Sequence, residues 1–268
     1  MTNTEKKTLK DIQNQNDIRG IDIQKVGVND VEIPLVIQRK NAENQIVSAK
    51  ARMSVALPQK YRGTHMSRFM EVLNDYRQKD LLGVDIKGIL KDIQTKLHAQ
   101  SAHVKFSFKY FIDKKSPVSK AIFPMGYECS FEGDLDKDNY RFILGVKVPV
   151  TTLCPCSKEI SDNCAHNQRA LINLKVSYAE NEHIWIEDLI DMIETCGSCP
   201  VYPLLKRSDE KYVTEKAYQN PKFVEDALRD LVILLRQDPR IKYFETEIEA
   251  YESIHNHNAW AWQSETKE

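Results

Sequence analysis

From residue 31 the chain alternates apolar and polar side chains over 31–38 and 46–57, with the turn-like run Asn41-Ala42-Glu43-Asn44 between them. A two-residue period puts every second side chain on one face, so this pattern predicts two half-buried strands. The period then changes. Over 66–76 and 86–98 the apolar residues recur at three- and four-residue spacing (Phe69, Met70, Val72, Leu73; then Ile86, Ile89, Leu90, Ile93, Leu97), which predicts two amphipathic helices. Alternation returns over 103–112, where Val104, Phe106, Phe108 and Tyr110 share a side, and over 127–135.

The second half runs through the same order: strands at 140–150 and 170–178, helices at 184–195 and 222–236, strands at 241–252 and 259–264. The repeat is architectural, with no convincing identity between residues of the two halves. It predicts an α+β molecule of antiparallel sheets, each with a helix pair over one face. A polar leader (1–20), expected to be flexible, precedes an N-terminal module (21–136) and a C-terminal module (137–268). One module alone would leave long sheet edges bare, so the halves are expected side by side, with oligomerisation closing the sheet further.

At 268 residues and 41% hydrophobic content the chain can bury a core without disulfide staples. Lys and Arg number 38 against 39 Asp and Glu, so net charge gives no argument for nucleic acid or an acidic membrane, and a phosphate-bearing ligand must be met locally. No run approaches the roughly 20 apolar residues of a membrane span, and the first residues are polar, so the expected location is cytoplasmic. In that reducing compartment the six cysteines are explained by metal, catalysis or burial rather than by a disulfide framework.

The densest chemistry lies in Cys154-Pro155-Cys156-Ser157-Lys158-Glu159, with His166 ten residues beyond the second cysteine. Two thiols beside a stiffening proline, then an imidazole, suit a borderline-soft divalent ion. Glu210 and the run Glu252-Ser253-Ile254-His255-Asn256-His257 offer further donors, and Cys154, His166, Glu210 and His255 would make a catalytic set with room for water. Each has a plainer alternative: a cysteine as a small buried apolar group, and Asp209-Glu210 as part of a solvated charged loop. Cys196-Gly197-Ser198-Cys199 has redox spacing but follows a helix instead of opening one, away from the helix terminus that lowers a thiol pKa. His65 and Arg68, in Gly63-Thr64-His65-Met66-Ser67-Arg68, stand at a helix start that reads either as an anion seat or as an ordinary cap. The glycines form neither G-x-G-x-x-G nor a P-loop.

Together, Thr151 to Ser161, Ala165-His166-Asn167-Gln168-Arg169, Leu204 to Arg207 with Asp209-Glu210-Lys211, Glu252 to His257 and Gly63 to Phe69 resemble the prokaryotic type IB GTP cyclohydrolase family, and the resemblance runs from about Val26 to Trp262. It implies a tunnelling fold whose bimodular subunits pair into barrels, as a homotetramer with sites at subunit interfaces. It implies conversion of GTP and water to 7,8-dihydroneopterin triphosphate and formate, at the first step toward tetrahydrofolate and, in many bacteria, queuosine. The implied cofactor is a divalent metal, zinc, manganese or iron, on Cys154, His166, Glu210 and His255, with Glu252 as an alternate ligand. Glu225 falls at the position that anchors the purine ring; read without the resemblance it is an acidic residue in a helix's first turn. Cys156, His255 and His257 are the candidates for proton transfer, and Lys158, Arg68, Arg207 and His65 for binding the rest of the substrate. Asp162-Asn163-Cys164 departs from the family pattern close to the site. Two other readings stand beside this one. A nitrile reductase on the same fold would need a Glu-Ser-Lys-x-x-Lys run, which is not present; a non-catalytic zinc-stabilised protein would close its metal with four side chains.

Overall fold

A computed structural model describes residues 11–77, 79–81 and 85–267; the first ten residues of the expected leader lie outside them. The N-terminal half comprises β1 (Ile23–Ile37), β2 (Gln45–Leu57), α1 (Met66–Tyr76), β3 (Asp80–Leu81), α2 (Ile86–Leu97), β4 (Ser101–Lys115) and β5 (Ile122–Asp136). The C-terminal half comprises β6 (Asn139–Leu153), α3 (Pro155–Ile160), β7 (Asn167–Tyr178), α4 (Ile186–Glu194), β8 (Cys199–Pro200), α5 (Arg207–Gln219), α6 (Val224–Gln237), β9 (Ile241–Ala250) and β10 (Ala259–Thr266).

Alternation translates directly into one-sided burial: Val104, Phe106, Phe108 and Tyr110 of β4 are all buried, while Lys105, Ser107 and Lys109 line the opposite face. The strands join in a single sheet of order β10-β9-β7-β6-β5-β4-β2-β1-β3, with β8 added on β6. Its pairings are antiparallel except for the short β1–β3 contact. The expected division between residues 136 and 137 falls at the β5–β6 turn, across which the sheet continues without a break. Helix α2 packs on β4 and β5, α4 on β6, and α6 on β9 and β10, all contributing to one apolar core that spans both halves. The other sheet face is polar, carrying Lys50, Lys105, Lys147, Lys175 and Glu128.

Two parts differ from the expectation. β1 starts at Ile23 rather than 31, because register shifts at Ile23/Val26 and Val28/Val31, with Asp30 at φ 55, break the alternation. α5, to which no element is assigned from sequence, takes in Asp209-Glu210, whose plainer reading is a solvated charged loop; only Asp209 and Ala217 of it are buried, so it shows almost no apolar stripe. Residues 11–20 hold no helix or strand, yet Gln15 and Gln13 accept backbone hydrogen bonds from Arg62 and Gly63 at 2.9 and 3.1 Å, docking this segment beside α1. No helix among the described residues is long and apolar enough to cross a membrane.

Candidate active site

The end of β6 delivers Cys154 to the N-cap of α3, where Pro155 takes the first helical position and gives up an N–H that would be unpaired there anyway. Its backbone N–H donates to His166 O at 3.1 Å, and its Sγ accepts from Ser157 N at 3.4 Å. His166 N–H donates to Ser157 Oγ at 3.3 Å, so the turn from α3 into β7 holds thiol and imidazole together. Gln168 follows on β7 opposite Thr152 of β6, and its amide contacts His166 Nδ1 at 3.0 Å. Glu252 comes two residues after the end of β9 and, with its side chain 12% exposed, sets Oε2 3.7 Å from the same ring nitrogen.

These groups line a cavity of about 440 Å³ together with Lys222, Glu225, His255, His257 and Trp260. Glu225 enters from the first turn of α6, which Asp226 caps by accepting from Phe223 N at 3.1 Å. Lys222 is fixed by donating to Cys196 O at 3.0 Å and to Asp230 at 2.7 Å. His255 and His257 stand in the exposed β9–β10 loop with their rings stacked, centroids 5.1 Å apart. A thiol, an imidazole, a carboxylate and two further imidazoles facing one polar cavity fit a borderline divalent cation.

Of the residues singled out from sequence, Cys154, His166, Glu225, Glu252, His255 and His257 therefore meet around one cavity. Cys156 lies exposed on α3. Lys158 turns away, donating to Tyr218 O at the end of α5 with its Nζ 4.3 Å from the Tyr218 ring centre. Arg207 and Glu210 are exposed on the first turn of α5 and do not line the cavity. His65 and Arg68 line a separate cavity of about 160 Å³ at the start of α1. There Arg68 donates to Lys96 O at 2.9 Å and His65 Nε2 lies 3.4 Å from Asp11. Sequence reasoning assigned no role to Gln168, Thr152, Lys222 or Trp260; the two-residue period from His166 was the available signal for Gln168.

Asp209, next to Glu210, is not solvated as a charged loop would have it. Its side chain is fully buried and accepts from Val118 N, Ser119 N and Lys206 N, each at 2.8 Å, and from the Ser119 hydroxyl. Burial alone would raise its pKa, but these donors hold it well below the usual carboxylate range. The C-x-x-C thiols are both buried, and burial pushes Cys196 up to about 11 and raises Cys199, which suits packing and not exchange chemistry.

Among the described residues one group of metal-type side chains has its candidate donor atoms within 4.8 Å of one another: His103, Glu132 and Asp134, on β4 and β5. It could hold a divalent ion, although its carboxylates already face Lys105 at 3.0 Å and Lys25 at 3.5 Å. The cavity donors Cys154, His166, Glu252 and His255 share one space without closing to that limit.

A family model described as type I GTP cyclohydrolase folE2 matches residues 9–261. GTP cyclohydrolase FolE2 of Geotalea uraniireducens (strain Rf4) is 51% identical over 253 residues, 94% of this chain and 92% of that protein. That of Geobacter sp. (strain M21) is 50% identical over 256 residues, 96% and 94% of the two chains, and that of Thermosipho africanus (strain TCF52B) 47% over 253 residues, 94% and 96%. Among solved structures, uricase from Arthrobacter globiformis superposes with TM-score 0.56 at 7% identity, covering 91% of this chain and 94% of that one. Urate oxidase from Bacillus subtilis 168 gives 0.53 at 8% identity, covering 91% and 99%. At such low identity the likeness concerns the fold alone: α+β, with a large antiparallel sheet of the uricase-like tunnelling kind.

Proposed function

The chain belongs to the type I GTP cyclohydrolase folE2 family and is an enzyme of that kind, and from this premise we propose that the cavity between Cys154, His166, Glu225 and Glu252 is where GTP is opened. The reaction is hydrolysis of GTP to 7,8-dihydroneopterin triphosphate and formate, with the product feeding tetrahydrofolate and queuosine synthesis in the cytoplasm. Cys154, His166 and His255, with Glu252, would hold a zinc, manganese or iron ion, which would supply Lewis acidity that lowers the pKa of water.

The chain's own residues account for the remainder. A Glu225 carboxylate accepts two parallel hydrogen bonds from guanine N1–H and its exocyclic amine, which orients C8 toward the thiol and imidazole. The Trp260 ring offers an apolar wall at the same cavity. His255 and His257, exposed and stacked, can exchange protons with solvent during ring opening and formate release, and Cys156 stands nearby on α3. Lys158 and Arg207 would supply positive charge for the triphosphate, Lys158 by leaving the Tyr218 carbonyl that now holds it.

His65 and Arg68 would join from another subunit of a homotetramer whose barrels bury the free edges of the sheet. The support for that assembly is the sheet itself, which ends in β10 on one side, with Trp260 60% and Trp262 47% exposed, and in β1 and β3 on the other. The observation that carries the reading is the convergence of Cys154, His166, Glu252 and Glu225 on one space from four separate stretches of chain. The test is formate release from GTP by metal-free protein refilled with one ion at a time. Turnover should return with at least one of Zn²⁺, Mn²⁺ and Fe²⁺, and Cys154→Ala should fail to recover it with any of them.

A further inference from the structure

The side-chain amide of Gln168 touches three groups at once: Nε2 is 3.2 Å from Thr152 Oγ1 and 3.3 Å from Glu252 Oε1, and Oε1 is 3.0 Å from His166 Nδ1. Its orientation is dictated by its neighbours. The amide NH₂ donates to Glu252 Oε1 and Thr152 Oγ1, which leaves the amide oxygen facing His166. An amide oxygen only accepts, so Nδ1 must carry the imidazole proton. Glu252 Oε2, 3.7 Å from the same nitrogen, favours that placement too. A neutral imidazole has one ring proton, which leaves the lone pair on Nε2, and Nε2 takes no partner among the described residues.

We infer that Gln168 is a positioning residue: it fixes His166 in the Nδ1–H tautomer, so that Nε2 is the nitrogen offered to a divalent cation, and holds Glu252 in register with it. This rests on the metal-site reading above. It also explains why an amide stands here. A second carboxylate could accept from His166 but could not donate to Glu252, whereas a glutamine does both.

The test uses metal-free full-length protein, Zn²⁺ as the probe in competition with a chromophoric chelator, and ring-nitrogen chemical shifts of His166. Gln168→Leu should weaken Zn²⁺ binding by about 10- to 100-fold, as loss of a ligand's supporting hydrogen bond does elsewhere, and move His166 toward the Nε2–H tautomer. Gln168→Glu, which keeps the acceptor, should retain Nδ1–H and bind more tightly than Gln168→Leu. His166→Ala reports on the underlying site. If it loses affinity while Gln168→Leu keeps both affinity and tautomer, the positioning role is overturned and the metal reading stands. Unchanged affinity in His166→Ala overturns the metal reading and the positioning role with it.

Discussion

Asp209 accepts a 2.8 Å hydrogen bond from the backbone N–H of Ser119, ninety residues earlier in the chain, and so pins the first turn of α5 to the β4–β5 turn. The carboxylate receives only N–H and O–H donors, which stabilise its charged form and hold its pKa low. A pKa lower in the folded than in the unfolded chain gives stability that is present above the unfolded value, about 3.9, and lost as pH falls through the folded value. Asp209→Asn turns an NH₂ against those donors. It should lower the denaturation midpoint at neutral pH and flatten the loss of stability with acid; urea melts of both proteins as a function of pH check this. A parallel acid dependence in the two would refute it.

Glu225→Gln tests substrate orientation. A glutamine can accept one guanine N–H but must present its own NH₂ toward the other, so one hydrogen bond to a charged group is lost. Such bonds are worth about 1.5–3 kcal/mol, which predicts a drop in kcat/KM of roughly 10- to 100-fold with the fold intact. Steady-state formate release at varied GTP, beside the far-UV spectrum, measures it. An unchanged kcat/KM removes Glu225 from the base-binding role.

The buried ion pair of Lys114 and Glu194, with side chains 10% and 13% exposed, ties the end of β4 to the C-terminal end of α4; Tyr127 donates to the same carboxylate at 2.8 Å. Removing one partner strands the other charge in the interior. Glu194→Leu should therefore cost about 3–5 kcal/mol, and the double variant Glu194→Leu/Lys114→Met clearly less than the sum of the singles. The exposed pair Lys211–Glu215 should cost under about 1 kcal/mol when broken. Urea denaturation of the four variants checks the contrast.

What was legible in the sequence follows from how local each signal is. The β4 stripe Val104, Phe106, Phe108 and Tyr110 was readable because a strand's period is a property of the backbone. The start of β1 was not, since two register shifts reset the phase of alternation. α5 was missed because its burial reduces to Asp209 and Ala217, and whether a carboxylate is buried is decided by partners such as Val118 and Ser119 that no local pattern displays. For the proposed site, the spacing of Cys154 and His166 is the sequence's own argument for a metal, whereas the part given to Glu225 comes from family likeness alone. Gln168 meets Thr152 and Glu252 from 16 and 84 residues away along the chain, separations at which no local pattern displays a contact.

The cysteines allow a last prediction that separates packing from chemistry. Cys129, Cys196 and Cys199 are buried, and burial raises all three thiols, Cys196 to about 11. At pH 8 a thiol with that pKa is ionised to about one part in a thousand, and alkylating reagents attack the thiolate. Native protein treated with iodoacetamide at pH 8 should keep these three free while Cys164, exposed beside α3, is labelled; peptide mass spectrometry reads the positions. Cys196→Ser with Cys199→Ser should also leave GTP turnover within a few-fold of the parent, because neither thiol lines the cavity. Rapid labelling of either residue, or turnover lost in a folded double variant, would return the C-x-x-C to the chemistry.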